Sequence, residues 1–199
     1  MKLVILDRDG VINQDSANFI KNPNEWIPIA GSLEAIALLN QSGFRVAVAT
    51  NQSGVSRGLF DMVTLNSIHD KMHREVAQLG GRIDAIFYCP HSAEENCDCR
   101  KPKTGMIKEI GKRFSVELNQ VAAVGDALRD LQAFEKAGCQ PILVLTGKGQ
   151  ATLDAAEDAA KDASKTDGDK LLDAVDSTAG VVLDRNALLA QILGKGKLD

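Results

Sequence analysis

The feature that most narrows the fold is an alternation along the chain. Five short, mainly apolar runs, Leu3-Val4-Ile5-Leu6, Arg45-Val46-Ala47-Val48-Ala49-Thr50, Ala85-Ile86-Phe87-Tyr88-Cys89, Val121-Ala122-Ala123-Val124-Gly125 and Pro141-Ile142-Leu143-Val144-Leu145, are separated by stretches of helical spacing. Apolar runs of that length read as strands buried on both faces. Strands joined by amphipathic helices form a mostly parallel sheet with right-handed crossovers. The helical stretches include Leu33, Ile36, Ala37 and Leu39 behind a Ser32 N-cap, then residues 64–79 with Leu65, Ile68, Met72 and Val76. Residues 106–114 follow, and then a segment carrying Leu131, Phe134 and Ala137 that ends at Gly138.

The connection after the first strand, residues 11–31, is long and holds Asn13, Asp15, Asn18, Phe19 and Trp26. Long connections inside compact domains tend to be functional. The chain of 199 residues is expected to form one domain, with its chemistry in residues 1–147 and an Ala/Asp-rich extension over 148–199. In that extension, residues 151–170 read as a surface helix or insertion, residues 180–183 as a sixth short strand and 186–193 as a closing helix.

With 23 basic against 27 acidic residues the net charge is −4, which argues against sequence-independent nucleic-acid binding. The first strand begins almost at the amino terminus without a charged-then-apolar leader, and no apolar run approaches the length of a membrane span. A cytoplasmic, monomeric protein acting on a small molecule is expected.

Sorting polar residues by strand end is the informative step. Asp7 and Asp9 follow the first run, Thr50 and Asn51 end the second, Arg100 and Lys101 lie in the loop after the third, and Asp126 follows the fourth. In a parallel sheet all of these share the carboxyl edge, where open α/β sheets bind ligands. Three carboxylates, a hydroxyl and a Lys around one point describe a Mg²⁺ site that receives an anionic phosphoryl group. The expected roles are Asp7 as nucleophile and Asp9 as general acid, then base. Asp7, Asp9 and Asp126 would be the Mg²⁺ ligands, with Thr50 and Lys101 on the phosphoryl oxygens. Arg8, pointing opposite to its neighbours along a strand, falls outside the chemistry, and Asp130 would orient Lys101 or a metal-bound water.

Cys89, His91, Cys97 and Cys99 lie within eleven positions in a chain without an export signal. Three thiolates and an imidazole complete a tetrahedral Zn²⁺ shell, so the site should be structural and brace Arg100 and Lys101. Cys139 reads as a small core residue. His69 and His73, four apart, have only Asp70 as a nearby third ligand, and an exposed helix face is the simpler expectation. Arg57 could reach a ligand or be a solvated charge, and Trp26 and Phe19 could line the pocket mouth or anchor the long loop.

With these residues in view, the chain resembles the haloacid dehalogenase superfamily of phosphatases. Its four motifs here read Asp7-Arg8-Asp9-Gly10, Thr50-Asn51-Gln52, Lys101, and Gly125-Asp126 with Asp130, spanning residues 1–147. Within that superfamily it is similar to the heptose 1,7-bisphosphate 7-phosphatases, through Asp7-Arg8-Asp9-Gly10-Val11-Ile12-Asn13, Thr50-Asn51-Gln52-Ser53-Gly54 with Arg57-Gly58, and Cys89-Pro90-His91 leading to Cys97-Asp98-Cys99-Arg100-Lys101-Pro102. The resemblance implies an α/β, Rossmann-like sheet of order 5-4-1-2-3 flanked by helices, with no large cap domain and a zinc-braced loop. It also implies removal of the 7-phosphate of a heptose bisphosphate through an aspartyl-phosphate, on the route to ADP-heptose and lipopolysaccharide. Substrate contacts would come from Asp15, Asn18, Asn51, Gln52, Ser53, Arg57 and Arg100. The segment Asp15-Ser16-Ala17-Asn18 lacks the Gly-Tyr usual in that family, and Ala127 stands where a Lys is common. A histidinol-phosphate phosphatase shares these motifs and is the alternative enzyme. A phospho-accepting receiver module would carry its Asp after the third strand, where this chain has Cys89.

Overall fold

The computed structural model describes residues 1–161 and 181–182. Strands β1 (Lys2–Leu6), β2 (Phe44–Asn51), β3 (Ala85–Cys89), β4 (Ala122–Gly125), β5 (Gln140–Val144) and β6 (Val181–Val182) form one sheet in the order β3-β2-β1-β4-β5-β6. Every pairing is parallel, and the first five strands take the expected order, with β6 added beside β5. The expected helix at 186–193 lies outside the described residues.

Helices α1 (Ser32–Gln41), α2 (Met62–Gln78), α3 (Gly105–Phe114), α4 (Leu128–Ala137) and α5 (Gly149–Lys161) provide the crossovers and flank the sheet. Successive side chains of a strand face opposite ways, so β1 divides its apolar residues between two cores. Val4 and Leu6 join Val46 and Val48 against Ile36, Leu39, Ile68 and Met72 of α1 and α2. Leu3 and Ile5 join Ala47 and Ala49 against Ile107, Ile110 and Phe134 of α3 and α4. Burying an aliphatic side chain completely contributes about 2 kcal/mol, so this central strand is held rigidly where the chain leaves it. Cys139 is buried in the second of these cores, as a small apolar residue would be.

Two local expectations give way. Ser32 does not cap α1: the N-cap is Gly31, at φ 84°, and the Ser32 hydroxyl donates to the Ile12 carbonyl at 2.7 Å. A left-handed backbone suits Gly, and the long loop offers the hydroxyl a better partner than the helix start. His69 is not on an exposed face, being 6 % exposed on α2 between Leu65 and Met72, whereas His73 is exposed.

Residues 11–31 are stitched rather than loose. Gln14 N–H donates to the Ile27 carbonyl and Ile29 N–H to that of Ile12, both at 2.9 Å, and Trp26 is wholly buried. Lys71 of α2 donates to the carbonyls of Pro23 and Trp26 at 2.9 and 2.7 Å. Trp26 therefore anchors this segment and does not line a pocket mouth. No helix among the described residues is long and apolar enough to cross a membrane.

Candidate active site

The strand order sets β4 beside β1, and the Asp7 N–H donates to the Val124 carbonyl at 2.9 Å. That register leaves Asp7 and Asp126 side by side just past the sheet. Both are buried, as are Thr50, Lys101 and Asp130. Carboxylate oxygens of Asp7, Asp126 and Asp130 lie within 4.8 Å of one another.

Lys101 is the cation of this cluster. Its Nζ lies 3.1 Å from Asp7 Oδ2 and 2.7 Å from Asp130 Oδ1, and it donates to the Ala49 carbonyl at 2.8 Å. The Lys arrives correctly because the Asn51 amide grips its backbone twice, donating to the Lys101 carbonyl at 3.0 Å and accepting its N–H at 3.1 Å. Asp130 Oδ2 accepts the Ala127 N–H at 3.1 Å, holding the start of α4 to the same cluster.

Burial pushes the Asp7 carboxyl up to about 8, with Lys101 pulling it down and Asp130, Asp126 and Asp9 adding to the rise. Burial and Asp130 likewise push Asp126 up to about 6. Asp126 Oδ2 accepts the Lys148 N–H at 2.8 Å, while its Oδ1 is buried with no hydrogen-bond partner. Backbone closes around this carboxylate, since a Cβ at Gly10 or Gly147, both at positive φ, would overlap it. An orphaned buried oxygen beside a second carboxylate raised by burial suits a divalent cation, whose charge and open coordination meet both deficits.

Asp9 sits differently from Asp7. Its Oδ1 accepts from Arg8 Nη2 at 2.9 Å, Arg8 Nε at 3.2 Å and Asn13 Nδ2 at 2.9 Å, and its Oδ2 from Arg8 Nη2 at 3.0 Å and Gln52 Nε2 at 2.8 Å. Burial pushes its carboxyl up, but the Arg8 guanidinium and the bonds from Asn13 and Gln52 outweigh that and hold it below the usual range. The expectation that Arg8 points away from the site is therefore wrong. Alternation governs a strand, and β1 ends at Leu6, before the turn in which Gly10 takes φ 86°.

A cleft of about 280 Å³ opens above these groups. It is lined by Asp7, Asp9, Asp15, Thr50, Asn51, Gln52, Ser53, Arg57 and Arg100, with Phe19 at φ 64°. Asn18 is exposed and is not among the lining residues. Two cations that the sequence reading did not single out, Arg129 and Lys148, also line it, and Lys148 Nζ pairs with Asp15 at 2.7 Å. The short side chain of Ala127 does not line the cleft, whereas Arg129, two residues on, does. The signal for Lys148 was present: it follows the fifth strand at the same sheet edge that assembled the others.

At the end of β3 a second cluster forms. Cys89 Sγ lies 3.5 Å from Cys97 Sγ and 3.2 Å from Cys99 Sγ, the latter two are 3.4 Å apart, and His91 Nδ1 lies 3.7 and 3.4 Å from Cys89 and Cys99. Four ligands about a Zn²⁺ with ~2.3 Å Zn–S bonds would have edges of roughly 3.8 Å. All four cysteines of the chain are free thiols, so this near-tetrahedral group fits that ion rather than disulfides. Arg100, next after Cys99, donates to the His91 carbonyl at 3.1 Å, which ties the cleft's Arg to the Cys/His loop.

Residues 98–174 match the family model described as HAD-hydrolase-like. A D-glycero-beta-D-manno-heptose-1,7-bisphosphate 7-phosphatase of Bordetella bronchiseptica is 61 % identical over 153 residues, covering 77 % of this chain and 86 % of that protein. The protein of the same name from Pseudomonas aeruginosa is 53 % identical over 151 residues, covering 76 % and 85 %. Among solved structures, the B. bronchiseptica D,D-heptose 1,7-bisphosphate phosphatase complexed with magnesium and phosphate superposes with a TM-score of 0.84 at 52 % identity, over 98 % of this chain and 99 % of that one.

Proposed function

The chain belongs to the D-glycero-beta-D-manno-heptose-1,7-bisphosphate 7-phosphatase family of HAD-like hydrolases, and from that premise we propose that it removes the 7-phosphate of that sugar bisphosphate by way of Asp7. The observation that carries the reading is Asp7 on the floor of a cation-walled cleft, with Lys101 Nζ 3.1 Å from its Oδ2.

Asp7 attacks phosphorus and the bond to the sugar oxygen breaks, while Asp9, ionised at rest beside Arg8, takes up a proton with the incoming phosphate and gives it to the departing alkoxide. Asp9 then takes a proton from the water that hydrolyses the aspartyl-phosphate, and inorganic phosphate leaves with Asp7 restored. Lys101 and Thr50 neutralise and orient the transferring oxygens. Asp7 and Asp126, whose carboxylates lie together, with Asp9 from the same turn, would hold Mg²⁺, and its charge would shield phosphate from carboxylate and lower the cost of their approach. Cys89, His91, Cys97 and Cys99 would hold a structural Zn²⁺, bracing the loop that carries Arg100 and Lys101. Asp15, Asn51, Gln52 and Ser53 contact the sugar, Asn18 lying outside the cleft, while Arg57 and Arg100 face the 1-phosphate, which a guanidinium can grip with a bidentate fork. The protein acts as a cytoplasmic monomer, residues 1–199 forming one domain, on the route to ADP-heptose and lipopolysaccharide.

The test is ³¹P NMR of the products from the heptose 1,7-bisphosphate, with histidinol phosphate as competitor. Heptose 1-phosphate and inorganic phosphate should form, and Asp7→Asn should abolish both. Loss of the 1-phosphate instead, or preference for histidinol phosphate, would overturn the assignment.

A further inference from the structure

Arg8 is a guanidinium with no exposed surface, and the carboxylate it neutralises belongs to the next residue. One edge, Nε and Nη2, forks onto Asp9. The other edge faces α2, where Nη1 lies 3.3 Å from His69 Nε2. A buried donor without a partner is costly, so the imidazole satisfies the half of Arg8 that Asp9 cannot reach. Arg is always protonated and only donates, which makes Nε2 the acceptor and puts the ring proton on Nδ1. Burial, reinforced by Arg8 and His73, holds His69 down at about 3, and the ring is therefore neutral when Arg8 leans on it. The Tyr88 ring of β3 packs beside it with centroids 6.2 Å apart.

We propose that His69 is a positioning residue for the acid/base Asp9: it fixes the far edge of Arg8, and Arg8 fixes the carboxylate that exchanges protons with the leaving oxygen and the attacking water. This rests on the role proposed for Asp9. The fork holds Asp9 in one orientation, and Asn13 and Gln52 each add a bond to one of its oxygens. Without His69 the Nη1 edge has no acceptor among the described residues, and the guanidinium turns to find one. Proton transfer is sensitive to displacements of a fraction of an ångström, so the cost falls on the step that needs the proton.

Leaving-group chemistry separates this from simple destabilisation. kcat/KM reports the steps through phosphoryl transfer to Asp7, and departure of a sugar alkoxide requires the Asp9 proton whereas p-nitrophenolate leaves without it. In His69→Leu, kcat/KM for the heptose bisphosphate should fall about tenfold further than that for p-nitrophenyl phosphate, a part of the 10²–10⁴ that a positioned acid supplies. His69→Gln, whose amide oxygen reaches the place of Nε2, should keep the ratio within about threefold of the parent. If His69→Leu fails to fold by circular dichroism, His69→Asn, polar but too short to reach Nη1, is read by the same criterion. A folded variant without the acceptor that keeps the parent's ratio overturns the proposal, as does equal loss in His69→Gln. A parent enzyme inactive on the heptose bisphosphate would sink the proposed function instead, and the comparison would then be made on whatever primary alkyl phosphate it does hydrolyse.

Discussion

Replacing Lys101 by Met tests the centre of the site, because the side chain keeps its length and loses its charge. Lys101 is 1 % exposed, and its Nζ is surrounded by oxygens of Asp7, Asp130 and Ala49 at 3.1, 2.7 and 2.8 Å. Removing one partner of a buried ion pair leaves uncompensated charge and typically costs 3–5 kcal/mol. Proton uptake relieves part of this, so a loss of about 3 kcal/mol at pH 8 is expected. In a protein of this size that lowers Tm by roughly 6–12 °C. The pH dependence has a definite sign. The Asp7 carboxyl titrates at about 8 folded against 3.8 as a free side chain, so its contribution to stability is complete below about pH 4 and is lost as pH rises toward 8. Lys101 pulls that value down, so without it the loss extends to higher pH. The gap between Lys101→Met and the parent should accordingly be wider at pH 8 than at pH 5.5, measured by thermal unfolding in metal-free buffer. Adding Asp130→Asn should restore about half the stability and none of the activity. A single variant that melts within about 2 °C of the parent at pH 8, or a gap that ignores pH, would refute the electrostatic account.

Magnesium affinity should depend on pH, because Asp7 and Asp126 titrate at about 8 and 6 and must be unprotonated to bind a cation. Titration calorimetry should find Kd level above about pH 8, about tenfold weaker per unit below it and steeper still below 6. A flat profile would exclude these carboxylates as ligands. Protein purified without chelator should contain one zinc per chain by elemental analysis, and Cys97→Ser should lower both zinc content and turnover through the loop that carries Arg100 and Lys101. Full activity in a zinc-free variant would remove the metal's bracing role.

What could be read in advance followed strand ends. The buried runs β1, β2, β4 and β5 are almost unbroken in Val, Ile, Leu and Ala, and each delivers its next polar residue to one edge, which is why Asp7, Thr50 and Asp126 were legible. Arg8 was not, because the alternation that assigns its direction stops with the strand. His69 was legible in principle. It occupies the middle of the stripe formed by Leu65, Ile68, Met72 and Val76, and spacing alone puts it in the core, although nothing local records that Arg8 meets it there. Arg129 is harder, since an Arg in the first turn of α4 carries no pattern that separates a cleft wall from a solvated surface. The placement of Lys101 depends on a double hydrogen bond from Asn51 across fifty positions of sequence, which no local signal records.

The stitching of residues 11–31 divides that segment into a foundation and a tip. Trp26, the strand-like bonds around Gln14 and Ile27, and the Lys71 latch secure its base from below. Only Asp15, Ser16, Ala17, Phe19 and Ile20 face the cleft. A replacement confined to residues 15–17 and 19, sparing Ile20 in the core, should change what the cleft admits while leaving Asp7, Asp9 and the packing beneath them in place. Selectivity should then shift apart from reactivity, and grafted tips from relatives would test whether new sugars can be admitted on an unchanged engine.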